Sequence, residues 1–323
     1  MPHEPWEIGN CPRSRARRWH EAVTGATFLL PGLAIIFLCV AIPGALAFGL
    51  SFTHCSRFLS IQWAGLYNYR KLLADPVALK AFANTLRYVA VFVPLNLVIA
   101  LTISLLLNRE FRGMKAIRSV YFVPVAVSGV VAISIFRFLF DRDYGPINAA
   151  LGTLGFEKVP WLWSEHWAMW AIIALALWKS AAFFSLILLA ALQDVSADLQ
   201  QAAVVDGAGP VARFLHVTLP SIWGVLMTVL ILSSIGAFRV FEPMFVLTKG
   251  GPNDATQTIA LQAYDTAFTG GELGYACAIS FALLAVILVV TAAMNKLTAL
   301  GRGRRSVAIA MERRRLGEGG RRA

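Results

Sequence analysis

Six stretches of the chain stay apolar for long enough to cross a bilayer, with polar stretches between them. By hydropathy they are Thr27–Phe52, Thr85–Leu107, Ser119–Phe140, Trp167–Leu192, Ile222–Leu247 and Tyr275–Leu297. Each holds roughly 20–26 residues, against the ~20 helical residues that a hydrocarbon core requires. In lipid every backbone N–H and C=O must be satisfied within the chain, so the pattern predicts an all-α membrane protein with six transmembrane helices. It divides the chain into a tail (1–26), a first helix with the polar segment after it (27–84), a core of five helices (85–298) and a second tail (299–323). No convincing short internal repeat is visible.

Composition agrees with a membrane class. Of 323 residues 58% are hydrophobic and only 15% charged, more apolar surface than a soluble domain can hide. The net charge of +11 would admit a nucleic-acid ligand, but its distribution argues against one. Lys and Arg gather in both tails and in the connections after the second and fourth apolar stretches, 18 in all. The opposite side holds 7, and 4 lie inside the spans. There is no RNA-binding aromatic box or zinc-finger spacing. The bias places both tails and these two connections in the cytoplasm, with the tails resting on anionic lipid. The Trp-rich "WLWSEHWAMW" at 161–170 fits the opposite interface. A basic start, an apolar run and Ala45-Leu46-Ala47 also describe a cleaved signal peptide, but the run is too long for one.

Reactive constellations are absent from the pattern. Cys11, Cys39, Cys55 and Cys277 are scattered without a CxxC, which points to neither a metal site nor a disulfide framework. No GxxxxGK[ST], GxSxG or HExxH occurs, so the chain is expected to hold no nucleotide or other cofactor and to be no enzyme by itself. Four basic residues lie inside the predicted spans. Arg87 and Arg137 sit near the outer ends and are expected to snorkel. Lys179, Arg239 and Glu242 lie deeper and are candidates for a solute path that holds hydroxyl or anionic groups. The structural alternative is an Arg239–Glu242 ion pair and a Lys179 bonded to a carbonyl. Asn96, Ser233, Ser234 and Gln262 suit either the path or ordinary helix contacts.

The connection 194–220 does not read as a loop. Within it, "QAAVVDGAGPVARFLHVTLP" at 201–220 follows Ser196, a helix N-cap, and strong helix formers. Asp206-Gly207 breaks that helix, with the Asp side chain expected to bond the following amides. Pro210 opens a second short helix, and Pro220 is expected to keep it from running into the fifth span. Val204, Phe214 and Leu215 would face the cytoplasm unless covered. An amphipathic helix on lipid would carry basic residues; Asp194, Asp198 and Asp206 against one Arg213 favour a protein partner instead.

That stretch resembles the EAA loop of the permease subunits of ABC importers. Ala202, Ala203, Asp206, Gly207, Ala208, Phe214, Leu219 and Pro220 match, and Gln201 stands where the family usually has Glu. The order of "GLYNYRKLLADP" (65–76), "NTLRY" (84–88), "RSVYFVPVAVSGVVA" (118–132), "GPINAAL" (145–151) and "LTKGGPNDATQT" (247–258) resembles the carbohydrate and glycerol-phosphate (maltose-type) branch. The resemblance implies a type I importer fold in which Gln201, Ala202, Ala203, Asp206, Gly207, Ala208, Phe214 and Pro220 couple to an ATPase. It implies two ATP-binding subunits, a second homologous permease and an extracytoplasmic solute-binding protein as partners. ATP would bind the partner, and the cargo would be a sugar or related solute. Gly250-Gly251-Pro252 has a turn explanation that needs no function, but could shape the surface the receptor touches. A secondary transporter would need acids deep in the spans, and Glu242 is the only one. A scaffold or membrane enzyme finds no supporting motif.

Overall fold

The computed structural model describes residues 15–56 and 60–319. Among them five helices are long and apolar enough to cross a membrane, and a sixth crossing exists if one bent pair is counted as a span. The first is α1 (Arg15–Ile36), continued through a π turn at Phe37–Ala41 into α2 (Ile42–Leu50). Of the basic tail expected over 1–26, residues 1–14 lie outside the description, and from Arg15 the chain is helical. None of the apolar Val23–Leu50 window is buried. At its far end Phe48 meets Phe281 edge-on at 5.1 Å.

The polar segment after it folds. β1 (Thr53–Ser56) and β2 (Ser60–Trp63) pair antiparallel with Thr53 opposite Trp63, and α3 (Tyr67–Ala74) follows. α4 (Pro76–Leu107) begins nine residues before the expected Thr85. The cause is local. Asp75 Oδ1 accepts from the amides of Val77 at 2.9 Å and Ala78 at 3.3 Å, and Pro76 occupies the first turn, where its missing N–H costs nothing. Asp75 Oδ2 also accepts from the Tyr275 hydroxyl at 2.7 Å, tying this helix start to the last span.

The third span is not one helix, contrary to the expected Ser119–Phe140. It consists of α5 (Met114–Tyr121), α6 (Val123–Ala126) and α7 (Gly129–Leu139), the two halves meeting at 100°. Val127 and Ser128 are extended at the break, and Ser128 Oγ caps α7 by accepting from Val131 N at 3.4 Å. A short α8 (Pro146–Thr153) and a Trp-rich turn lead to α9 (Ala168–Gln193). Asn148, 1% exposed, organises that turn. Its amide nitrogen donates to three carbonyls, while its Oδ1 accepts from Val159 N and Trp161 Nε1.

α10 (Ala197–Val205) and α11 (Pro210–Arg213) follow, and then a π turn at Phe214–Thr218 carries the chain directly into α12 (Leu219–Phe238). Pro220 therefore does not separate the short helix from the fifth span, which runs unbroken from Pro210 to Phe238. The π turn shifts the hydrogen-bond register one residue ahead of the proline, and Pro220 then sits in a first turn, where its ring is tolerated. The span also ends nine residues earlier than the expected Leu247. Residues 239–258 fold back over the core, α13 (Ile259–Tyr264) and a π turn follow, and α14 (Leu273–Gly319) closes the fold, running well past the expected Leu297.

Between helices in lipid there is little hydrophobic gain, so close packing and buried hydrogen bonds hold the bundle. α4 and α9 pack along each other over fully buried small residues, Ala100 and Ala182 among them. α12 closes the third side, with Asn96 Nδ2 donating to Ser233 Oγ at 3.0 Å.

Candidate functional site: a two-helix hairpin and a cavity between the spans

Two places combine exposed or unpaired groups with a rigid frame, one at the end of the bundle and one inside it. The first is the α10–α11 hairpin. The amide of Ala208 donates to Ala203 O at 2.9 Å and that of Gly207 to Val204 O at 3.0 Å, with Gly207 at φ +78°. These are the two bonds of a Schellman stop, which needs a left-handed residue where glycine carries no penalty. The Asp206 carboxylate makes no hydrogen bond among the described residues, so the backbone, not the expected Asp side chain, closes the turn. Ser196 stands at the start of α10 but its hydroxyl caps nothing. Gln200 Nε2 donates to Thr218 Oγ1 at 2.9 Å and ties α10 to the π turn below the span.

Around this hairpin the apolar side chains point outward. Val205 is 87% and Val211 70% exposed, and Leu199, Val204 and Leu215 are exposed as well. Of the residues singled out in sequence, Gln201, Ala202, Asp206 and Gly207 are exposed, while Ala203, Ala208, Phe214 and Pro220 are half-buried. They share one short element, and its surface is apolar rather than basic. Asn108, Glu110 and Gln193 border a cleft that reaches Gln201 and Thr218.

The second place is a cavity of about 420 Å³ between α4, α9 and α12. Tyr88 and Phe92, stacked at 5.2 Å, and Phe183 give it aromatic walls. Lys179, Ser180 and Ser233 supply polar groups. Lys179 Nζ also donates to Val127 O at 3.1 Å, a carbonyl that the break in the third span releases from helical bonding.

Glu242 is engaged at the same break. A Cβ placed on Gly129 would lie 2.6 Å from Glu242 Oε2, so the carboxylate sits against the first residue of α7, where the helix dipole favours negative charge. Glu242 is not part of the cavity wall and makes no ion pair with Arg239 among the described residues. Arg239 is exposed at the end of α12. Of the three deep charged residues flagged in sequence, the structure thus brings Lys179 to the cavity and leaves Arg239 and Glu242 outside its lining. Tyr88 and Ser180 escaped the sequence reading. The signal was the Tyr88/Phe92 spacing, repeated by Lys179/Phe183, which puts an aromatic one turn along the same face.

A bundle of long apolar helices with a broken third crossing and an external two-helix hairpin is the architecture of a multi-span membrane protein. Residues 96–300 match the model of the family described as binding-protein-dependent transport system inner membrane component, and the chain belongs to that family, the membrane-spanning subunits of ATP-driven importers. It is 34% identical over 281 residues to a probable ABC transporter permease protein, y4oQ, of Sinorhizobium fredii, covering 86% of this chain and 91% of that one. It is 32% identical over 289 residues to the trehalose/maltose transport system permease protein MalF of Thermococcus litoralis, covering 89% and 97%. The fold matches a chain of a bacterial alginate ABC transporter crystallised with its alginate pentasaccharide-bound periplasmic protein, with a TM-score of 0.77 at 21% identity, over 88% of this chain and 96% of that one.

Proposed function

We propose that this permease imports a sugar or related solute, pairing with a second homologous permease and docking two ATP-binding subunits through the α10–α11 hairpin. The observation that carries the reading is the hairpin itself. It presents Val205 and Val211 to the surroundings, and it continues without a break from Pro210 into the fifth span. Exposed apolar side chains on a rigid turn are what a protein cleft buries. Gln201, Ala202, Ala203, Asp206, Gly207, Ala208, Phe214 and Pro220 form or support that docking element. ATP binds and is hydrolysed on the partner subunit, and this chain performs no catalysis.

An extracytoplasmic binding protein delivers the solute at the opposite end, and both termini lie in the cytoplasm of a bacterial or archaeal inner membrane. The resemblance to the MalF of Thermococcus litoralis supports a sugar as cargo, and the alginate transporter's periplasmic protein supports a delivered one. Coupling then needs two global states of the bundle, with ATP closure shifting their populations.

The test is co-purification of the ATP-binding subunit with the wild-type chain and with a Val205→Asp, Val211→Asp double variant. We expect the wild type to hold the ATPase and the variant to release it at least tenfold more readily while remaining in the membrane. Undiminished retention, with solute-stimulated ATP hydrolysis unchanged, would sink the docking surface.

A further inference from the structure

We propose that the cavity between α4, α9 and α12 recognises an acidic solute, a carbohydrate or polyol bearing one carboxylate, sulfonate or phosphate, with Lys179 as the residue that selects it. The inference rests on the reading of this chain as the translocation path. Its ground is a mismatch between donors and acceptors in the wall. The polar side chains lining the void are Lys179, with one ammonium, and Tyr88, Ser180 and Ser233, with three hydroxyls. Among the described residues, none of these hydroxyls donates a hydrogen bond to another group of the protein. Ser233 Oγ instead accepts from Asn96 Nδ2 at 3.0 Å, which leaves its own proton for a further acceptor. Asn96 is fully buried, and its own Oδ1 has no hydrogen-bond partner among the described residues.

Charge points the same way. No Asp or Glu lines the cavity, and no acidic side chain comes within 4 Å of Lys179 Nζ among the described residues. Glu242, the one acid inside the predicted spans, sits against Gly129 at the same break and forms no salt bridge with Lys179 among the described residues. Lys179 spends one N–H on Val127 O and has three to give. A cation inside a span without a salt-bridge partner is costly, and the cost falls when an anion binds it directly. A neutral sugar would satisfy the hydroxyls and leave the ammonium unpaired. Phe92 and Phe183 offer flat apolar faces to the remainder of the solute. The volume, about 420 Å³, lies within the ~300–1,000 Å³ range of small-molecule sites.

The experiment is equilibrium binding to the assembled importer in nanodiscs, without ATP, using two matched pairs of probes: glucuronate against glucose, and glycerol-3-phosphate against glycerol. We expect at least one acidic probe to bind tenfold or more tightly than its neutral counterpart. Lys179→Gln should abolish that preference, while Lys179→Arg keeps most of it. Should Lys179→Gln fail to fold, Ser233→Ala is the second variant, expected to weaken the acidic probe about fivefold. Equal binding of acid and neutral probes, no binding of either, or an acid preference that survives Lys179→Gln would overturn the proposal. The assay needs no ATP hydrolysis, so loss of ATPase docking in the hairpin variant leaves its result unchanged, and the two readings fail separately.

Discussion

The side-chain amide of Asn84 donates to the carbonyls of Asp254 at 2.7 Å and Gln257 at 3.0 Å, joining the second span to a loop some 170 residues later. Thr85 Oγ, next along the helix, accepts from Ile259 N at 3.0 Å. The loop's Thr256 and Thr258 are fully buried, so this is an inserted wedge rather than a surface connection. Asn84→Ala leaves two carbonyls without their donor at a buried site. We expect a loss of about 2–3 kcal/mol of stability, read as a lower midpoint in detergent-induced unfolding. An unchanged midpoint would mean that the wedge is held elsewhere.

Asn148 is the comparable hub of the Trp-rich turn, with both ends of its amide in use. Replacing it by Ala removes acceptor and donors together and should cost about 3 kcal/mol locally. Asn148→Asp keeps the acceptor oxygen but turns a carboxylate oxygen toward three carbonyls at a buried site, so it should cost at least as much as the alanine. Hydrogen exchange over residues 141–161 is the readout, with faster exchange expected for both variants.

Gly207 stands at φ +78° in the stop of α10. A valine there costs about 1–2 kcal/mol and pushes the turn out of shape, whereas Asn tolerates the left-handed region better. Solute-stimulated ATP hydrolysis of the assembled importer should collapse in Gly207→Val and survive in large part in Gly207→Asn. Equal activity of the two variants would show that the turn's geometry is unimportant to coupling.

Asp141 accepts from the amides of Tyr144 and Asp143 just beyond α7, and these bonds hold its carboxyl below the usual carboxylate range. A depressed folded pKa contributes order above the ordinary value and loses it as pH falls through the folded one. The amides of Asp143 and Tyr144 should therefore be protected at neutral pH and lose protection at strongly acidic pH. Asp141→Asn should flatten that dependence; a variant that retains it would move the effect to another group.

Much of this was legible in the chain. Apolar length alone located the five long helices, and Gly207 with Pro210 announced the hairpin. Three features were hidden for physical reasons. The break at Val127–Ser128 lies inside an unbroken apolar run, so hydropathy passes over it, although Ser128-Gly129 is a helix-start signal. The fifth span was set too late at both ends. A π turn absorbs Pro220, and apolar Phe241, Phe245 and Val246 prolong the hydropathy beyond the real stop at Phe238. The early start of α4 was written in Asp75-Pro76, yet the segment before Thr85 is too polar to be counted by a membrane window. At the site, Lys179 was visible as a deep charge, but its neighbours Tyr88 and Ser180 needed the helix packing to bring them to one void.

The uninterrupted helix from Pro210 to Phe238 has a mechanical corollary. Its 29 residues extend about 43 Å. A tilt of about ten degrees imposed near Pro210 would swing the far end by roughly 7 Å on that length. That far end adjoins Val240, whose carbonyl accepts from Thr258 in the buried wedge at 3.1 Å. On the proposed docking role, a push at the hairpin would reach the far end of the span along one continuous rod.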